Sequence, residues 1–184
     1  MSNYNWIAAT VGMILALGMT RVVNSSVAIF RSRHRAKLHW IPFVWTLCIF
    51  YFMLDISWDL HNLSDKMQTW DFPRALILLG FVLVLFLAGA LVLPQQELPE
   101  GANLKEEFIR DGRWTLIFVM VFNLLCIPYN WLLWKVPIFS SFGILDFILA
   151  LIAFGALWGS QSKYEPLITL TYAGTLIVTA LFGG

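Results

Sequence analysis

The sequence predicts an all-α membrane protein, a single domain over residues 1–184 built as a bundle of about six transmembrane helices, and three observations carry that prediction. Hydrophobic residues make up 59% of the chain and charged ones 12%, whereas about a quarter of a globular domain is charged. Apolar runs near the length that crosses a bilayer, about 20 residues, recur along the whole chain. The basic residues are segregated by loop, as a membrane topology requires.

The runs are taken in order as Trp6 to Phe30, Leu38 to His61, Arg74 to Leu93, Trp114 to Trp134, Ile138 to Gly159 and Pro166 to Phe182. The first has its positive charges after it, the reverse of a cleavable signal peptide, so it is expected to persist as a helix. Loops one, three and five carry eight of the twelve basic residues: Arg31, Arg33, Arg35, Lys37, Lys105, Arg110, Arg113 and Lys163. The opposite side has Lys66, Arg74 and Lys135, and Arg21 lies within the first run. The positive-inside bias therefore places loops one, three and five in the cytoplasm and both termini outside. Trp6, Trp40, Trp70, Trp114, Trp134 and Trp158 sit near run ends, where an aromatic belt is expected.

Loop three, "PQQELPEGANLKEEFIRDGRW", opens with turn residues. It then offers Asn103 as a helix cap with Glu106 three positions on. A short amphipathic helix on the cytoplasmic surface, with Leu104 and Phe108 on one face, fits this pattern. A solvated charged loop with a single helical turn fits it too. Three helices followed by three also permit an inverted repeat, but the two halves share no motif.

The stretches "LGMTRVV", "RSRHRAKLHWIPFVW", "WDFPRALILL" and "LVLPQQELPEGANLKEEFIRDGRW", in that order over about Leu17 to Trp114, resemble a family of uncharacterised multi-pass bacterial membrane proteins. The resemblance implies a bacterial inner membrane. It implies no activity, substrate or cofactor.

Polar residues within the spans supply the candidate site. Counting from the run ends at 1.5 Å per residue puts Asp55 roughly 9 Å and Asp146 roughly 12 Å below the outer boundary. Tyr129 and Asn130 fall near the same level, just after Pro128, which cannot donate to the carbonyl of Leu124. An ionised carboxylate at mid-membrane costs about 2.5–3.5 kcal/mol on insertion scales, so Asp55 and Asp146 are expected to face the bundle interior, pair with a donor or carry a proton. Asp59 shares a helix face with Asp55 at i and i+4, yet it and His61 are expected in the headgroup region or in water. A buried Asp146 satisfied by Asn130 or Tyr129 also serves structure alone. Arg21 is expected to snorkel to the cytoplasmic interface instead of pairing with Asp55.

Other chemistries find little support. A net charge of +1 gives no basic stripe for nucleic acid. His34 and His39 lie on the loop-one side and His61 at the other end, so they cannot share a haem. No zinc-protease, phosphate-loop or nucleophile-elbow motif occurs, and an enzyme, a cofactor or a metal site is not expected. Cys48 and Cys126 read as small buried hydrophobes, and Ser140 and Ser141 as helix caps. Gly155 and Gly159 form a GxxxG step that suits packing within the bundle or association as a homo-oligomer or within a larger membrane complex.

Two functional expectations follow. One is a small transporter or channel subunit whose outward-facing polar cavity, proton-linked, is built from Asp55, Asp146, Asn130, Tyr129 and Asp59. The other is a structural or assembly subunit of a larger complex. The charge bias generates a direct prediction of topology. A cysteine at Ser32 should be modified only by reagents that reach the cytoplasm, and a cysteine at Ser64 or a reporter after Gly184 should be accessible from outside. A cytoplasmic C-terminus would contradict it.

Overall fold

The structure is a computed structural model that describes the backbone of residues 3–66, 71–159 and 162–182 and the side chains of 4–62, 71–159 and 162–181. Trp70 and Gly184, and the side chain of Ser64, lie outside the described residues. Among these residues every named element is helical: α1 (Asn3–Arg31), α2 (Trp40–Lys66), α3 (Phe72–Leu91), the short α4 (Leu104–Glu107), α5 (Trp114–Tyr129), α6 (Ser141–Gly159) and α7 (Glu165–Phe182). Five of them are long and apolar enough to cross a membrane, namely α1, α2, α3, α5 with its C-terminal extension, and α6. The apolar stretch of α7, Glu165–Leu181, is shorter.

The long helices form a closed ring in which α1 packs on α3, α3 on α5, α5 on α6, α6 on α7, α7 on α2 and α2 back on α1. α2 also touches α3 across the ring and is its most buried member, with 50% of its span window buried against 28% for α1 and for α6. Between helices in lipid, van der Waals fit and hydrogen bonds supply association, because lipid tails are as apolar as leucine. That fit is tightest around Met53. A β-carbon added to Gly18 of α1 would lie 2.9 Å from its Cε, and one added to Gly89 of α3 would lie 2.7 Å from Cε and 3.0 Å from Val22 Cγ2. The two glycines thus let three backbones close on one side chain. Thr115 Oγ1 fastens α5 to α3 by donating to the Ala88 carbonyl at 3.1 Å, and the Tyr4 hydroxyl donates to the Leu60 carbonyl, tying α1 to α2.

At the end of the ring where α1 finishes, loops one and three are joined to each other. Lys37 N donates to Ala102 O (2.8 Å), Leu104 N to Lys37 O (3.0 Å) and Leu98 N to the buried Ser32 Oγ (2.9 Å), while Arg35 pairs with Glu97. Asn103 caps α4: its Oδ1 accepts from Lys105 N at 3.1 Å and its Nδ2 donates to Glu106 Oε1 at 3.0 Å. Glu106 therefore takes the side-chain amide of the cap instead of its backbone N–H. α4 runs into a π-helical turn, Phe108–Gly112, and Leu104 and Phe108 are buried inside the fold. The segment is a plug whose apolar face is satisfied by the protein.

Of the glycine step on α6, Gly159 is occupied within the chain by Ile168 Cδ1, 3.0 Å from its added β-carbon, and Gly155 meets nothing within 4 Å. The exposed tryptophans Trp6, Trp40, Trp114 and Trp158 lie near helix ends. The notch around Met53 yields a stability prediction. Gly89→Leu should cost about 1–3 kcal/mol of unfolding free energy by overpacking, seen as a lower thermal midpoint in detergent. Gly80→Ala, with nothing within 4 Å of the new methyl, should leave it unchanged or higher.

Candidate functional site

Pro128 shapes the site before any functional group does. It lies inside α5 and lacks an N–H, so the ladder that ends in α5 cannot continue regularly. The helix widens into a π-helical turn, Asn130–Trp134, and stops where Lys135 adopts a left-handed backbone (φ 60°). Such wide turns concentrate at functional sites because they re-aim side chains. Here Asn130, the first residue of the turn, donates from Nδ2 to Asp146 Oδ2 of α6 at 3.3 Å. α6 is started by Ser140, whose Oγ accepts from Gly143 N at 3.2 Å, in keeping with the capping role expected of it.

A cavity of about 650 Å³ lies between α2, α5, α6 and α7. Its volume falls in the range of small-ligand sites, about 300–1,000 Å³. Asp55, Asp59 and Asn62 line it from α2, Cys126, Tyr129 and Asn130 from α5 and its extension, Asp146 from α6 and Thr179 from α7. Its lining residues Asn62, Trp134, Val136 and Ala180 belong to the end of the ring opposite the joined loops. All five candidate residues of the sequence are brought together. Asp55 is exposed to the cavity, Asp59, Asn130 and Asp146 are half-buried, and Tyr129 is buried with its ring stacked 4.5 Å from Phe81. Phe81 and Phe122, 4.7 Å apart, and Phe52, 4.8 Å from Phe122, give the same cavity an aromatic wall.

Asp59 lines the cavity from α2, which continues to Lys66, past the run end at His61. Among the described residues no cation is paired with Asp55 or Asp146. Arg21 is on the other side of the molecule, donating from Nη2 to Ala90 O at 3.2 Å beside a second cavity of about 400 Å³ that Glu107 and Asp111 also line. Among the described residues no group of three His, Cys, Asp or Glu is arranged to hold a metal ion.

Cys126, expected as a small buried hydrophobe, is half-buried and also lines the cavity. The signal for it was the spacing Asn123, Cys126, Asn130, which is i, i+3, i+7 on one face of α5. Thr179 was masked in the same way by the apolar character of α7. A comparison with protein-family models, curated proteins and solved structures finds no match to this chain. A prediction tests the cavity's access. In a background with both native cysteines replaced by alanine, Asp55→Cys should react with a small polar thiol reagent in vesicles, and Leu78→Cys, which is fully buried, should not. Equal protection of both would mean that the cavity is closed to water.

Proposed function

We propose that this chain is a small, non-enzymatic transporter or channel subunit of a bacterial inner membrane, with six spans, both termini outside and a proton-linked polar cavity that opens outward. One observation carries the reading: two carboxylates from separate helices, Asp55 and Asp146, line a single 650 Å³ cavity with no cation paired to either among the described residues. Intramembrane carboxylates of this kind mark ion and proton pathways because hydrocarbon tolerates them only with water, a donor or a proton. A structural carboxylate needs one partner and no cavity. The Asn130 amide supplies Asp146 with a donor, and Asp55 is left facing the space itself.

The sixth span in this reading is α7. It closes the ring between α6 and α2, and its apolar stretch Glu165–Leu181 reaches roughly 26 Å at about 1.5 Å per residue. That is close to the hydrocarbon thickness of about 30 Å. The cavity lies at the end away from Arg31, Arg33, Arg35 and Lys37, hence outside under the positive-inside bias. α4 lies on the cytoplasmic side by the same rule.

The test is Asp146→Asn, which keeps the shape of the side chain and one acceptor for the Asn130 amide while removing its proton chemistry. In reconstituted vesicles the variant should insert and fold normally, yet lose at least tenfold of the pH-dependent flux that the wild type shows. Asp111→Asn, exposed at the opposite end, should retain wild-type flux. Unchanged flux and pH dependence in Asp146→Asn would overturn the proton role. Absence of flux in the wild type under every gradient would favour an assembly subunit.

A further inference from the structure

The buried face of α7 is polar where a helix packed against a membrane core is normally apolar. Glu165 (3% exposed), Thr169 (1%) and Tyr172 (0%) follow one another at i, i+4 and i+7, and Thr179, two turns further on, lines the cavity. Asn123 of α5, fully buried, donates from Nδ2 to the Tyr172 hydroxyl at 2.9 Å. Several of these groups keep unused hydrogen-bonding capacity. Asn123 Oδ1 and Thr169 Oγ1 are buried without a partner, and neither carboxylate oxygen of Glu165 has a hydrogen bond beyond the 2.9 Å ion pair that Oε2 makes with Lys105 Nζ.

The other threonines of α7 show that this is not simply how threonine sits in a helix. Thr171 and Thr175 are satisfied by their own helix, donating to Leu167 O at 2.9 Å and Thr171 O at 2.8 Å. Only the interior Thr169 is turned from such a bond. Buried polar atoms without a protein partner are normally met by internal water. Glu165 and Thr169, roughly 6 Å apart along the axis, and Thr169 and Tyr172, roughly 4.5 Å apart, share one face, yet no hydrogen bond joins the Thr169 hydroxyl to either, which leaves the link between them to water. Above Tyr172 a single turn, with Leu176 of α7 and Cys126 of α5, reaches the cavity.

We propose that this face of α7, with Asn123, forms the inward half of a hydrated proton path that begins at the cavity and ends at Glu165, where Lys105 of the α4 plug holds the inner exit closed. The proposal rests on the reading of the cavity as a transport site. Each hydroxyl or water along the line accepts a proton from one neighbour and releases its own to the next, so one proton moves per transfer and no covalent bond to carbon changes. Asn123 keeps the Tyr172 hydroxyl as an acceptor on one side, which leaves the phenolic proton to be donated onward.

The groups facing this line are few. Lys105 and His39 flank Glu165, and burial, followed by the Lys105 ammonium, holds the His39 imidazole below its ordinary range while Glu165 acts against them. Around Tyr172 stand the Trp45 ring, 4.6 Å away, the thiols of Cys48 and Cys126 and, farther off, Asp146. Among the described residues no cation is among these neighbours of Tyr172.

The experiment is proton uptake by vesicles holding the full chain and a trapped pH-sensitive dye, after an imposed pH step. Tyr172→Phe and Thr169→Val remove one hydroxyl each at nearly constant shape, and each should lower uptake at least tenfold, whereas Thr169→Ser should keep it within about twofold of wild type. Should either hydroxyl deletion fail to fold, Thr169→Ala compared with Thr169→Ser makes the same distinction. Wild-type uptake in both deletions, with Asp146→Asn still inactive, would overturn the path and leave the cavity's role standing. No uptake by the wild type would overturn both.

Discussion

A carboxylate in hydrocarbon must be given water, a donor or a proton, and the ring of helices is arranged around that requirement. Asp55, Asp59 and Asp146 sit on faces of α2 and α6 that turn inward, so the helices cannot close on one another there as tightly as they do around Met53. The space left between them is the cavity. Its aromatic wall of Phe52, Phe81 and Phe122 bounds it on one side, and the π-helical turn after Pro128 delivers Asn130 to Asp146 on the other.

The two ends of the ring are built oppositely. At one end, backbone bonds between Lys37, Ala102 and Leu104, the Ser32–Leu98 bond and the ion pairs Arg35–Glu97 and Lys105–Glu165 join the loops into a cover, with Leu98, Leu104 and Phe108 buried beneath it. At the other end α5 is broken by its proline and the helices part around polar side chains. One end is thus closed by hydrogen bonds, and the other is lined by polar side chains. The exposed pair Arg35–Glu97 contributes little by itself. The partly shielded Lys105 contact is made to a nearly fully buried carboxylate, so its loss would leave Glu165 without a counter-charge.

Hydropathy made the long helices legible, because a span is a property of about 20 consecutive residues and tolerates errors at its ends. The ends themselves were less so. The apolar run stops at His61, but α2 is carried on by residues with helical backbone to Lys66. The grouping of Asp55 with Asp146 and Asn130 was recoverable by counting rise along antiparallel neighbours. Cys126 and the Glu165–Thr169–Tyr172 face were not seen, since cysteine, threonine and tyrosine barely disturb a hydropathy average and only their spacing betrays a polar stripe. The burial of Leu104 and Phe108 under the loops was likewise invisible. An amphipathic pattern reports that a face is covered without saying whether lipid or protein covers it.

The central claim, that the cavity is wet in the folded protein, is tested most directly by radiolytic hydroxyl-radical labelling of the chain in lipid nanodiscs, read residue by residue by mass spectrometry. Cys126 and Tyr129, which line the cavity, should be labelled quickly by radicals formed from water inside it, and the equally oxidisable Met53, 0% exposed in the apolar notch, should remain protected. Protection of Cys126 and Tyr129 to the level of Met53 would mean a dry cavity and would contradict the account.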